Sequence, residues 1–276
     1  MRTAQVEIPD EVEALAVVSD VHGCAEAVAA FEVLRESLPP HRLAVNGDLV
    51  MGGLEPATVV EWALRRAPDL TTRGNHDAGL LAGGSLDEPA YTEGGSYARL
   101  SDSQRRFMTD LPDAIHLAWR GRRIRLIHGH VTAQSDASGC KSTPADLIER
   151  FGSPEFDLTC LGHTHFPFAA RGVANSGSLA QTYVRHWLPD GSRYCLNGGD
   201  PRFDDRDTRP SYLLLRAAEG VLRAEVRRFD FDRTAAWRRM AEADPEHAEF
   251  WRAKLLEGSP DARLKPHDVT LARPWR

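Results

Sequence analysis

Residues 14–23 read ALAVVSDVHG, an apolar run that ends in the cluster Asp20-Val21-His22. The run has the length and composition of a buried strand, and the same pattern occurs four more times. The other runs span residues 43–45, 70–72, 124–127 and 158–161, and the clusters that follow them are Gly47-Asp48, Gly74-Asn75-His76-Asp77, His128-Gly129-His130 and Gly162-His163-Thr164-His165. One Asp-x-His spacing is common by chance, but five such clusters are not. Because open α/β sheets bind ligands at the carboxyl ends of their strands, the sequence predicts a metal-centred site at that edge.

The composition is that of an ordinary globular protein. The chain has 276 residues, 42% of them hydrophobic and 27% charged, which suffices for one large α/β domain. Its formal net charge of -6 argues against an extended nucleic-acid-binding surface. No apolar stretch approaches the length that crosses a bilayer, and residues 1–10 lack the apolar core of a signal peptide. Together with four widely spaced cysteines, this predicts a cytoplasmic protein without membrane attachment.

Strand and helix signals alternate through the first half of the chain, which predicts parallel βαβ units. Helices are expected over about 25–37 and 56–66, and a third is expected to begin after Ser101 as its cap. Two predicted hairpins, around Arg120-Gly121 and Glu219-Gly220, indicate a second, mixed sheet packed on the first. We expect one domain over residues 1–230, with a polar inserted loop at about 184–210. Residues 231–276 are predicted to form a helical extension that packs on the same domain.

The residue types in the clusters suit transition metals. Residues i and i+2 of an extended chain point to the same side, so one or both histidines of a pair such as His163 and His165 can face a shared centre. Carboxylate oxygens, imidazole nitrogens and one amide oxygen form a ligand set that suits Mn²⁺, Fe, Zn²⁺, Co²⁺ or Ni²⁺ better than Ca²⁺. His130 is not assigned to a metal.

The order of the clusters resembles that of the calcineurin-like metallophosphoesterase superfamily, over residues of about 14 to 228. The resemblance implies an α/β fold, a four-layer αββα sandwich with two mixed β-sheets and a dinuclear metal site at the carboxyl edge of the strands. It also implies two divalent transition metal ions as cofactors, with Mn²⁺ favoured. Residues 175–178 are similar to the Asn-Pro-Gly-Ser turn of the superfamily, with Ser176 in place of proline, and we interpret them as scaffold.

The resemblance also assigns a role to each cluster residue. One ion would be bound by Asp20, His22 and His165. The second would be bound by Asn75, His128 and His163, and Asp48 would bridge both. A metal-bridging hydroxide would attack phosphorus, while His76 would stay unligated and protonate the leaving oxygen as general acid. Asp77 would orient His76.

The expected substrate class follows from a difference between this chain and the protein phosphatases of the superfamily. Protein serine/threonine phosphatases of this superfamily continue their Gly-Asp with x-x-Asp-Arg-Gly, whereas this chain continues Asp48 with Leu-Val-Met-Gly-Gly. The segment is more similar to that of small bacterial phosphodiesterases and related phosphatases. We therefore expect a hydrolase for a small phosphodiester or phosphomonoester, such as a nucleotide or a dinucleoside polyphosphate. The alternatives are a nuclease, a protein phosphatase and a non-catalytic binding scaffold, the last of which predicts missing ligands.

Overall fold

Eleven strands in the described part of the chain form two mixed β-sheets. The computed structural model describes residues 1–129, 144–165, 167–170, 172–180, 209–218, 221–252 and 255–256. The strands are β1 (Thr3–Ile8), β2 (Ala14–Val18), β3 (His41–Asn46), β4 (Thr71–Thr72), β5 (Ala114–Trp119), β6 (Arg122–Ile127), β7 (Leu158–Leu161), β8 (Phe168–Ala170), β9 (Val173–Asn175), β10 (Ser211–Ala218) and β11 (Val221–Arg228). The six-stranded sheet has the order β1-β5-β6-β7-β9-β8, and the five-stranded sheet has the order β11-β10-β2-β3-β4.

Helices cover the outer faces of both sheets. They are α1 (Ala25–Arg35), α2 (Pro56–Arg66), α3 (Asn75–Gly79), α4 (Glu93–Ala98), α5 (Asp102–Asp110), α6 (Pro144–Phe151), α7 (Arg233–Ala243) and α8 (Ala248–Arg252). Phe31 of α1 packs edge-on against Tyr212 of β10, with ring centroids 5.3 Å apart. On the six-stranded sheet, Leu147 and Phe151 of α6 pack against Val173 and its neighbours. The order of layers is therefore helix, sheet, sheet, helix, which confirms the predicted αββα sandwich.

The registers bring the carboxyl ends of the strands to one level. In the five-stranded sheet β2, β3 and β4 run parallel, with Val18 opposite Val45 and Asn46 opposite Thr72. In the six-stranded sheet β6 and β7 are also parallel. The side-chain amide of Asn46 joins the two sheets, since it donates to the carbonyls of Ile127 at 3.1 Å and Cys160 at 3.2 Å. The turns after β2, β3, β6 and β7 therefore meet at one edge.

The structure differs from the predicted elements in three places. The strand expected at residues 70–72 keeps only Thr71–Thr72, because the Leu70 N–H bonds to Ala67 in a turn. The helix expected to reach residue 37 ends at Arg35, where the chain tightens into turns before the two prolines. Strand β1 was not predicted; its side chains are mostly half-buried or exposed because it lies at the sheet edge, beside β5 alone.

Both predicted hairpins are present as antiparallel pairs, β5 with β6 and β10 with β11. Residues 184–208 of the predicted inserted loop lie outside the described residues, as do residues 257–276 of the predicted extension. Within the extension, Arg239 of α7 forms ion pairs with Glu26 and Glu55 of the N-terminal part. The domain limits at residue 230 stay predictions. Among the helices of the described residues, none has the length and apolarity needed to cross a membrane.

Candidate metal centre

The turns that carry the predicted ligands have an unusual backbone. Seven described non-glycine residues have a positive φ angle, and five of them are predicted ligands, namely Asp20 (56°), His22 (49°), Asp48 (54°), His163 (65°) and His165 (56°). Side chains with a Cβ rarely adopt this left-handed region, and such strain concentrates at functional sites. Strained turns of this kind let the chain reverse direction at once after each strand and present its side chains over the sheet edge.

One glycine is required by close approach. The Cα of Gly74 lies against Asp48, so that a methyl group at this position would overlap both the carboxylate and the backbone of Asp48. Any larger residue at position 74 would therefore separate the turn after β3 from the turn after β4. The glycine of the Gly-Asn-His-Asp cluster is thus needed for packing.

The first cluster consists of Asp20, His22 and His165. The Nε2 atom of His165 lies 3.1 Å from Asp20 Oδ1 and 3.1 Å from the Nε2 atom of His22, and the distance between His22 Nε2 and Asp20 Oδ1 is 3.9 Å. Donor atoms about 3 Å apart are what a metal ion requires when it binds each at about 2.1 Å. The Nδ1 atom of His22 donates to the Met51 carbonyl at 2.8 Å, which leaves the Nε2 lone pair directed at the cluster.

The second cluster consists of Asp48, His128 and His163, with Asn75 beside them. His128 Nε2 lies 3.1 Å from Asp48 Oδ2, and the Nδ1 atom of His163 lies 2.7 Å from the amide oxygen of Asn75. The ring of His128 donates its Nδ1 proton to the Asn46 carbonyl at 2.7 Å. Its Nε2 atom is buried and faces the Asp48 carboxylate, an arrangement typical of a metal ligand.

The two clusters adjoin one another. Asp20 Oδ1 is 3.1 Å from His165 Nε2 in the first cluster and 3.9 Å from His128 Nε2 in the second. Asp48, the predicted bridge, contacts His128 directly and accepts the backbone N–H of His76 through its other oxygen at 3.0 Å. All seven residues predicted as metal ligands are therefore gathered at one edge, and their donor set fits two divalent ions of the transition series.

Burial and the neighbouring charges set the protonation of the cluster. Burial lowers the pKa of His22 to about 3 and that of His163 to about 4, so both rings are neutral and able to ligate. Burial also opposes the charged form of His128, but the carboxylates of Asp48 and Asp20 outweigh it and raise the pKa of His128 to about 10. For Asp20 and Asp48, burial acts to raise the pKa, yet the surrounding histidines hold both carboxyl groups below the ordinary value.

Asp77, which was expected to orient His76, bonds to the backbone of two turns rather than to the ring of His76, and its orienting role stays a prediction. Its buried carboxylate accepts three backbone N–H groups, from Asp48 at 2.8 Å, Leu49 at 2.9 Å and Gly74 at 2.8 Å. Both of its oxygens thus hold the turn after β3 to the turn after β4, and the ring of His76 contacts Glu93 instead, with 3.0 Å between Nδ1 and Oε1. Asp77 lies in the first turn of α3 and is buried.

Two further residues support the site. Asn46 and Glu93 were not identified from the sequence: Asn46 is a buried polar residue at the end of a strand, which was the available signal, and Glu93 has no local motif. The turn at 175–178 is scaffold, as interpreted, because the Asn175 amide donates to Gly162 at 2.7 Å and the Ser178 hydroxyl donates to the Asp20 carbonyl at 2.8 Å. His130 lies outside the described residues.

An αββα sandwich with two clusters of metal ligands at the strand ends defines the metallophosphoesterase class of proteins. Residues 14–220 match the calcineurin-like phosphoesterase superfamily domain, and the chain belongs to that superfamily. A solved metallophosphoesterase from Sphaerobacter thermophilus is similar to it, with 18% identity, a TM-score of 0.64, and coverage of 90% of this chain and 99% of that one. A hypothetical protein from Pyrococcus horikoshii OT3 has 15% identity and a TM-score of 0.59, with coverage of 89% and 98%. At such identities the likeness concerns the fold, and no curated sequence matches this chain.

Proposed function

We propose that this chain is a dinuclear metal-dependent hydrolase of a small phosphoester. The proposal rests on one observation, the adjoining clusters of Asp20, His22 and His165 and of Asp48, His128 and His163. The expected ligands are all present, which argues against a non-catalytic scaffold. Asp20, His22 and His165 would hold one divalent ion, and Asn75, His128 and His163 would hold the second, with Asp48 as a ligand shared by both. Mn²⁺ is the ion that we expect.

Bound divalent ions supply Lewis-acid chemistry, since they neutralise charge on a phosphoryl group and make water acidic enough to serve as the nucleophile. The residues of the chain fix the positions of the metal ligands. The carbonyls of Met51 and Asn46 fix the rings of His22 and His128 by accepting their Nδ1 protons, so that each Nε2 atom faces inwards. This fixed second layer keeps the ligands ready before a substrate arrives.

His76 is the proposed general acid. It follows Asn75 directly, its backbone N–H bonds to Asp48, and its ring centroid lies 5.6 Å from that of His22. The ring is therefore beside the first cluster and is not one of the residues that form it. From this position it would give its proton to the leaving oxygen while the P–O bond breaks.

A small substrate is favoured by the chain that follows Asp48. Met51, Gly52 and Gly53 occupy the stretch where protein phosphatases carry an Asp-Arg pair for the phosphate, and the net charge of -6 does not favour a nucleic acid. We infer a nucleotide, a dinucleoside polyphosphate or a comparable small ester in the cytoplasm. Hydrolysis of DNA or of phosphoproteins is the alternative that the assay below must exclude.

The test compares bis-p-nitrophenyl phosphate, p-nitrophenyl phosphate, single-stranded DNA and a phosphopeptide as substrates of the purified full chain. We expect turnover of one nitrophenyl ester with Mn²⁺, loss of at least about a thousandfold after chelation, and recovery when Mn²⁺ is restored. Selectivity for the diester or the monoester then assigns the reaction. A metal-loaded protein that cleaves none of these substrates would contradict the proposal.

A further inference from the structure

We propose that Glu93 is a positioning residue that holds the ring of His76 for proton transfer, an inference that rests on the proposed function. The observation is the 3.0 Å contact between Glu93 Oε1 and His76 Nδ1. A carboxylate only accepts, so His76 must carry a proton on Nδ1. The Nε2 atom is then the one that remains for the substrate.

The contact between His76 and Glu93 is not explained by a contribution to the stability of the fold. The side chains of His76 and Glu93 are 25% and 42% exposed, and ion pairs in such positions add little to the free energy of unfolding. Nor is another carboxylate poised for this task, because both oxygens of Asp77 are engaged by backbone N–H groups. Among the described residues, Glu93 is the carboxylate that contacts the ring.

A glycine makes room for the contact. Gly79 lies at the end of α3, and a methyl group built on it would overlap the carboxylate of Glu93. Alanine is the better helix former and would suit a helical position. Glycine at position 79 therefore leaves the space in which the Glu93 side chain reaches His76. A substitution at position 79 provides a second way to break the contact between Glu93 and His76.

The segment that carries Glu93, residues 89–98, is fixed just before Glu93. Thr92 caps α4, its hydroxyl accepting the Gly95 N–H at 3.0 Å, so Glu93 is the first residue of a helix with a defined start. The preceding residue, Tyr91, accepts the N–H of Gly52 at 2.8 Å and stacks edge-on against Trp251 at 5.5 Å. The loop after Asp48 and helix α8 thus anchor the chain just before Glu93.

In the proposed step the P–O bond to the leaving group breaks while a hydroxide oxygen bonds to phosphorus. The electron pair of the broken bond stays on the leaving oxygen and takes the Nε2 proton of the imidazolium ring of His76. The ring ends neutral, with its Nδ1 proton still hydrogen-bonded to Glu93, and regains a proton on Nε2 from solvent. Glu93 itself neither gains nor loses a proton.

The test uses a p-nitrophenyl and a phenyl ester of the class that the enzyme hydrolyses, because only the poor leaving group needs the acid. For Glu93→Gln we expect kcat to fall about 10- to 100-fold on the phenyl ester and less than about threefold on the p-nitrophenyl ester. KM and metal content should stay unchanged. Gly79→Ala should reproduce this pattern, and Glu93→Asp should have a kcat between those of wild type and Glu93→Gln. Glu88→Gln, at an exposed acidic residue just before the segment, should match wild type.

A second readout is independent of turnover. Nitrogen–proton correlation spectra of the metal-free protein at alkaline pH should show His76 protonated on Nδ1, and Glu93→Ala should lose this preference. Equal kcat losses on both esters, or an unchanged tautomer, would overturn the proposal. If His76→Ala is impaired on the phenyl ester while Glu93→Gln is not, the proposed function stands and the role of Glu93 fails. A metal-loaded wild type that hydrolyses neither ester would overturn the proposed function and the proton-transfer role together.

Discussion

The strand-end turns and the segment at residues 89–98 face the same site but are built differently. In the turns, the predicted ligands Asp20 and His128 are 0% and 1% exposed. In the segment, Glu93 is 42% exposed, and the residues just before it are held by a helix cap and an aromatic contact. The turns therefore combine metal binding with folding, whereas the segment can change with little effect on either.

This difference separates two contributions to the proposed reaction, namely metal binding by the turns and proton delivery supported by the segment. Changes in the turns are expected to remove metal, stability or both, because ligand and scaffold are the same residues there. Changes in the segment are expected to affect proton delivery without loss of metal and with little loss of stability. Four substitutions or conditions test that division.

The largest effect is expected for Asp48→Ala, which removes the carboxylate beside His128 and the acceptor of the His76 N–H. We expect loss of bound metal and a fall in turnover of at least about a thousandfold. Metal analysis and the nitrophenyl assay measure both quantities. Asp110→Ala is the control, since Asp110 is 79% exposed and pairs with Arg2; equal metal content in the two variants would contradict the assignment of Asp48 as a metal ligand.

Metal affinity should depend steeply on pH. Metal-free His128, with its pKa raised to about 10, carries a proton on Nε2 at neutral pH, and a metal must displace it. His22 and His163, with pKa values of about 3 and about 4, carry no proton to displace. Affinity should thus rise roughly tenfold per pH unit between about pH 6 and 8. Calorimetry in buffers of different ionisation enthalpy should find about one proton released by His128 per chain; release of none would refute the assignment.

The substitution Asp77→Asn should cost stability. The carboxylate of Asp77 accepts three backbone N–H groups through its two oxygens. The amide of asparagine has one acceptor oxygen, and its NH₂ group would face a backbone N–H that also donates. We expect the free energy of unfolding to fall by about 2 kcal/mol in urea titrations. The matched change Asp157→Asn, at an exposed carboxylate that accepts the Arg123 N–H, should cost less than about 1 kcal/mol. Similar losses in the two variants would argue against a special role for Asp77.

The smallest effect is expected for Tyr91→Leu, which removes the edge-on contact with Trp251. Loss of the aromatic pair should lower the free energy of unfolding by about 1 kcal/mol. Metal content should be unchanged, and kcat on the phenyl ester should fall only a few-fold as Glu93 becomes less well placed. A loss of metal in this variant would show that the segment and the turns are not separable.

Much of the fold could be predicted because several elements have a clear pattern of apolar and polar residues. Strand β2 occurs at the predicted residues, since an uninterrupted apolar run bounded by polar residues suits a strand buried on both faces. Helix α2 likewise begins at Pro56, where proline is favoured. Strand β1 lacked such a signal because half of an edge strand faces solvent.

The site was predictable to the extent that its residues follow strands directly. Parallel strands that end at one level bring their next residues together, which is why Asp20, Asp48 and His163 could be placed at one edge from the sequence. No such rule predicts which residues far apart in the sequence contact each other. Glu93 reaches His76 only because α3 and α4 pack against each other with Gly79 between them.

The most direct test of the account is anomalous diffraction from crystals of the full chain grown with Mn²⁺. The account predicts two manganese peaks, one among Asp20, His22 and His165 and the other among Asp48, Asn75, His128 and His163, with Asp48 between them. A single peak, or peaks away from these residues, would contradict a dinuclear centre and with it the proposed reaction.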